Sequence, residues 1–196
     1  MPRYDESTAL IVVDIQNDFA DPDGNLAISG GEQVVAAANR EIEAAWAADA
    51  TVVYTQDWHP PRTPHFDIDG GPWPVHCVQD TWGAALHPDL RVEGPVVRKG
   101  VDGGDGYSGF SVRDPVSGEE SATRLGALLA DAGVSRVVVV GLAGDVCVKA
   151  TALDAREMGY EVLLPLAATR FVEVTPGDGE RTIAEVDAAG VTVEAA

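Results

Sequence analysis

Apolar positions along this chain come in short solid runs separated by amphipathic stretches. The first run, Thr8-Ala-Leu-Ile-Val-Val-Asp14, has no polar alternation, so it predicts a strand covered on both faces. Residues 32–48 place Val35, Ala38, Ile42 and Trp46 at helical spacing and predict a helix. A second strand is expected over 51–55 and a short third over 95–98. Residues 121–132 predict a helix with Ser121 as its cap. Then come the most apolar strand, 136–141, and a helix over 146–158 that Gly159 should stop. A strand over 161–166, a helix over 176–189 and a last strand over 191–194 complete the pattern. Strands alternating with helices in this way predict an α/β fold, three-layer α/β/α with a mostly parallel, Rossmann-like central sheet.

The pattern fails in one place. From about 56 to 90 the chain is rich in proline, tryptophan, glycine and histidine and has no period. A long irregular stretch of this kind is usually functional. With no repeat, low-complexity segment or linker, residues 1–196 are expected to form a single domain carrying that loop. In parallel sheets, sites gather where strands end and helices begin. That rule selects Asp14 after the first strand, Asp57 after the second, Lys99 after the third and Cys147 after the fourth.

Composition narrows the partners. The net charge is −19, which repels nucleic acid and anionic membranes, so neither is expected as a partner. No segment reaches the ~20 apolar residues of a membrane span, and the N-terminus lacks an apolar export signal. Two cysteines in unlike contexts make no disulfide framework, so a cytoplasmic location is expected. Monomer and homo-oligomer both stay open.

Two constellations carry chemistry. Cys147 lies where a valine strand gives way to a helix, beside the positive end of the helix dipole. A lowered thiol pKa and a nucleophilic role are expected there, although most cysteines in apolar settings merely pack. Asp14 would be a half-buried proton acceptor, against the plainer reading of a turn cap with Asn17 and Asp18. Lys99 would keep that carboxylate ionised. Strand alternation sends the neighbouring Arg98 to the other side. The second constellation is Asp57-Trp58-His59, His65 and His76, a donor set suited to a divalent transition metal. Any one of these histidines alone would more commonly make a loop hydrogen bond. Cys77 reads as packing, His87 as a turn residue, and the Gly103–Gly106 stretch lacks the features of a phosphate cradle.

With these residues in view, the chain resembles the nicotinamidases, or pyrazinamidases, of the isochorismatase-like cysteine hydrolase superfamily. The likeness rests on Val13-Asp14-Ile-Gln16-Asn17-Asp18-Phe19, Asp57-Trp-His59, Trp73-Pro-Val-His76-Cys77, Lys99-Gly100, Tyr107-Ser-Gly-Phe110 and Asp145-Val-Cys147-Val-Lys-Ala-Thr151. It implies the isochorismatase-like fold and a triad of Asp14, Lys99 and Cys147. It implies metal ligands Asp57, His59, His65 and His76 holding one zinc, iron or manganese ion, with no organic cofactor. It implies substrate walls from Phe19, Trp73 and Tyr107, and an oxyanion hole from the backbone N–H groups of Ala143 and Cys147. A cis peptide is expected at Ala143-Gly144. The implied reaction is hydrolysis of nicotinamide to nicotinate and ammonia through a thioester, with pyrazinamide as a further small amide substrate. The rivals are an amidohydrolase for an N-carbamoyl or ureido amide, and a non-catalytic binding module whose metal only pins a loop.

Overall fold

The central strands of the main sheet are buried because helices cover both of its faces, and their side chains divide between two cores. The computed structural model describes residues 3–195; the outermost ends of the expected 1–196 unit lie outside them. In chain order the elements are β1 (Thr8–Val13), α1 (Asn17–Ala20), α2 (Gly31–Trp46), β2 (Thr51–Asp57), β3 (Val96–Lys99), β4 (Ser111–Arg113) and β5 (Glu120–Ala122). Then follow α3 (Leu125–Asp131), β6 (Arg136–Gly141), α4 (Lys149–Glu157), β7 (Glu161–Pro165), α5 (Asp178–Ala188) and β8 (Thr192–Glu194). Leu10 and Val12 of β1, with Val138 and Val140 of β6, face a core that includes Val34, Ala38 and Ile42 of α2. Ala9, Ile11 and Val13, with Val137 and Val139, face the other core, with Leu125 of α3, Ala152 of α4 and Val186 of α5. The period-2 alternation of side chains thus turns one apolar run into two packed layers.

The six-stranded sheet runs β3-β2-β1-β6-β7-β8, and every neighbouring pair is parallel. Order reverses between β1 and β6, which pair in register from Thr8 with Arg136 to Val13 with Gly141. The expected α/β/α class is therefore observed, and its switch point is where a crevice opens between diverging loops. Asp14 follows β1 there, in a left-handed conformation (φ 47°) that costs about 1–3 kcal/mol for a residue with a side chain. Gly141 ends β6 at φ 121°, against the β1 backbone.

Two local expectations need correction. Ser121 does not cap a helix, because residues 120–122 pair antiparallel with β4 instead. The cap belongs to Thr123, whose hydroxyl accepts the Leu125 N–H at 3.1 Å and donates to the Gly109 carbonyl at 2.6 Å. The helix carrying Cys147 begins earlier than 146, with a wide π-type turn over Gly144–Val148 that runs into α4. Among the described residues, no helix is long and apolar enough to cross a membrane.

A methyl group at position 141 would sit 2.0 Å from the Val13 carbonyl oxygen, on a backbone conformation that disfavours side chains. Gly141→Ala should lower the unfolding free energy by about 3 kcal/mol or more. Denaturant titration at an unchanged slope measures it, and a midpoint equal to the parent's would contradict this reading of the switch point.

Candidate active site

Four strand ends deliver four reactive side chains to one buried point. The Lys99 ammonium, 1% exposed, pairs with Asp14 Oδ2 at 2.7 Å and with Asp57 Oδ1 at 2.5 Å. Its third donor goes to the Gly106 carbonyl, and its Nζ lies 3.7 Å from Cys147 Sγ. One donor atom each of Asp14, Asp57 and Cys147 lies within 4.8 Å of the others. Alternation along β3 accounts for the choice of lysine. Lys99 points inward, while Arg98 is exposed, bonds Gln56 at 3.2 Å and lies 3.8 Å over the Trp58 ring. Thr55 adds a hydroxyl bond to Asp14 Oδ1 at 2.7 Å, so both oxygens of that carboxylate are engaged.

Burial sets the protonation states. It lifts the Asp14 pKa to about 6, although Lys99 pulls the other way. Burial also opposes charge on Lys99, but Asp14 and Asp57 hold its pKa well above the ordinary lysine value. Asp57 stays below the usual carboxylate range: burial is the largest influence and would raise it, but Lys99 together with His59 and His76 outweighs it. The Cys147 thiol departs from expectation. Burial, with Asp14 and Asp57 nearby, pushes its pKa well above normal, and Lys99 only partly offsets this. The resting sulfur therefore keeps its proton, close to the Asp14 carboxylate.

Above the sulfur lies a pocket of ≈ 380 Å³, counting its open mouth. Phe19, Trp73 and Tyr107 line it together, and the Trp73 indole N–H bonds the Tyr107 hydroxyl at 3.0 Å. Ala143 and Cys147 line its floor. The cis peptide is Leu142–Ala143, one bond before the expected position. Asp145 fixes this turn to the next wall by accepting the N–H groups of Val172 and Glu173, both at 2.9 Å.

His65 and His76 line the same pocket, and with buried His59 they bring one ring nitrogen each to within 4.8 Å of one another. Burial drops the His59 pKa to about 3 and lowers that of His76, so both rings are neutral at neutral pH. Both nitrogens of His59 are buried without a hydrogen-bond partner. An orphaned buried ring is costly unless something occupies its lone pair. His76 Nδ1 lies 2.7 Å from the Pro74 carbonyl and His65 Nδ1 lies 2.6 Å from Asp105 Oδ1, which leaves the Nε2 atoms to face a ligand. Imidazoles with anchored far nitrogens fit a divalent transition metal. Asp57 stands beside the cluster, its Oδ2 3.9 Å from His59 Nε2, while its other oxygen serves Lys99. Cys77, fully buried, has its N–H on Asp18 and is not in the cluster.

The model of the isochorismatase domain matches residues 8–193. The chain belongs to the isochorismatase family. It is 38% identical to a nicotinamidase of Escherichia coli, over 94% of this chain and 93% of that one. Among solved structures it is similar to the pyrazinamidase of Pyrococcus horikoshii in complex with zinc, with TM-score 0.86, 37% identity, and 97% and 99% of the two chains covered. It is equally similar to PnC1 from L. infantum in complex with nicotinate, with TM-score 0.88, 37% identity, and 97% and 93% covered.

Several members of this isochorismatase-family site carry no sequence signal of their own. Thr55 reads as an ordinary strand residue. Gln16 accepts the Asp57 N–H and donates to the Asp57 carbonyl, each at 2.8 Å, and so ties β2 to the segment after β1. Leu26, Ile28 and Val172 complete the pocket wall from separate segments. Only the spacing of Thr55, two residues before Asp57 and so on the same face of β2, hints at its aim toward Asp14.

Lys99→Met removes the one ammonium between two buried carboxylates. The unfolding free energy should drop by about 3–5 kcal/mol, because a buried charge is left uncompensated. Thermal and denaturant unfolding report this directly. A variant as stable as the parent would show that the ion pairs are not as tight as described.

Proposed function

We propose that this protein is a metal-dependent cysteine amidohydrolase that converts nicotinamide to nicotinate and ammonia. The observation that carries the reading is the juxtaposition of Cys147 Sγ, 3.7 Å from a lysine bridging two carboxylates, with an aromatic pocket edged by His65 and His76 of the three-histidine cluster. The E. coli relative is a nicotinamidase, and the L. infantum structure holds nicotinate, which supports a pyridine ring in that pocket.

In this reading Asp14 takes the proton of Cys147 as the sulfur attacks the carboxamide carbon. Lys99 holds Asp14 in place and offsets the growing negative charge. The backbone N–H groups of Ala143 and Cys147 receive the oxyanion, a role in which a single donor is worth about 3–4 kcal/mol. Asp14, with a pKa raised to about 6, then returns the proton to the departing nitrogen. The C–N bond breaks, ammonia leaves and a thioester remains. Water, deprotonated by Asp14, attacks the thioester carbon, and the C–S bond breaks to give nicotinate and the regenerated thiol. Phe19, Trp73 and Tyr107 hold the ring and keep bulk water off the sulfur.

His59, His65 and His76, with Asp57 at their side, would hold a single zinc, iron or manganese ion. When bound, that ion supplies an electron-pair acceptor suited to the pyridine nitrogen. The P. horikoshii structure is a zinc complex, which supports this donor set. The apolar wall of Leu26, Ile28 and Val172 favours an aromatic ring over a polar carbamoyl or ureido tail. Pyrazinamide, a ring of the same size, belongs to the same substrate class. The two free cysteines fit work in a reducing cytoplasm.

Cys147→Ala should lower ammonia release from nicotinamide on the order of 10⁵-fold, as loss of a covalent nucleophile does elsewhere, while zinc binding is kept. A coupled ammonia assay and a zinc titration check both halves. Undiminished ammonia release in the variant would remove the nucleophile from the mechanism.

A further inference from the structure

The three clustered imidazoles are not held alike. His76 has its Nδ1 against the backbone carbonyl of Pro74, and His59 has no partner at either nitrogen. His65 is held by a side chain, the Asp105 carboxylate, which comes from a segment 40 residues further along. We infer that Asp105 is a positioning residue that fixes the His65 tautomer and ties the cation site to the glycine loop that meets Lys99. This inference rests on the metal-binding reading above.

Three observations support it. First, the Asp105 carboxylate is well placed to act as an acceptor: at 2.6 Å and 17% exposed, it takes the Nδ1–H and leaves the Nε2 lone pair for a ligand. An anionic acceptor also makes the far nitrogen a better electron donor than a neutral carbonyl would. Second, Asp105 is itself braced. Its N–H donates to the Arg113 carbonyl at 2.7 Å, and the Arg113 N–H returns a bond to its carbonyl at 3.0 Å. This two-way ladder holds the residue against β4, so the carboxylate is aimed by backbone bonds.

Third, the residues that follow Asp105 each touch another part of the site. The Gly106 carbonyl accepts from Lys99, and a methyl group at 106 would stand 3.1 Å from Lys99 Cγ and 3.2 Å from Asp57 Oδ1. Tyr107 bonds Trp73 across the pocket. Asp105, Gly106 and Tyr107 therefore reach the imidazole cluster, the buried lysine and the ring-binding wall in turn. No residue type in this loop signals such a role by itself. It emerges from where Asp105 lands.

A competing account makes Asp105 a simple brace between two loops, and zinc affinity separates the two. Zinc binding by the parent, Asp105→Asn and Asp105→Ala proteins should be titrated in competition with a chromophoric chelator, with thermal unfolding of the metal-free forms measured alongside. If Asp105 positions His65, Asp105→Ala should bind zinc about 10–100-fold more weakly than the parent. Asp105→Asn, which keeps an acceptor oxygen but loses the charge, should fall between them. The visible spectrum of the cobalt-loaded Ala variant should also shift from that of the parent. Parent-like zinc affinity in Asp105→Ala overturns the inference. So does weakened zinc binding fully matched by unfolding of the metal-free variant, with Asn no better than Ala. A parent protein that binds no zinc would overturn both this inference and the metal reading it rests on, whereas a zinc-binding parent with an indifferent Ala variant overturns this inference alone.

Discussion

A single ammonium group holds the centre of this molecule together. Lys99 Nζ is buried and has three acceptors, Asp14, Asp57 and the Gly106 carbonyl. They come from the end of β1, the end of β2 and the glycine loop, while Lys99 ends β3. Charges so deeply buried are tolerated only when each is paired and its remaining donors are satisfied. Burial, with Asp57 close by, raises the Asp14 pKa to about 6 even though Lys99 opposes it.

The sheet explains why such a costly cluster can persist. Its strands are parallel, apolar on both faces and locked between two cores, so their ends are fixed points. The order reversal between β1 and β6 sets Asp14 and the turn bearing Cys147 on either side of one crevice. Gly141 lets the two backbones approach more closely than any residue with a side chain allows. Rigid strand ends then present side chains whose own conformations are costly, including the left-handed Asp14.

Much of this was legible in the sequence because the signals were periodic or chemically rare. Solid valine runs announced covered strands, and a lysine closing β3 in so acidic a chain stood out. The histidines announced themselves by crowding into a stretch with no other pattern. What escaped was set by contacts across distant segments. Ser121 looked like a cap, but its backbone was taken by the β4 ladder and Thr123 did the capping. The thiol looked activated by a helix terminus, but burial beside two carboxylates raises its pKa and Lys99 only partly offsets this. Asp105 carried no signal of its own, since nothing local to a glycine-rich run reveals a histidine 40 residues away.

The central claim is that Cys147 attacks a carbonyl attached to a ring seated in the aromatic pocket. Pyridine-3-carbaldehyde, ¹³C-labelled at the carbonyl, tests this most directly by NMR on the zinc-loaded protein. The parent should show a tetrahedral carbon signal from a hemithioacetal, and Cys147→Ala should lose it. A bound aldehyde that keeps its trigonal carbon in the parent, or the same tetrahedral signal in the alanine variant, would contradict it.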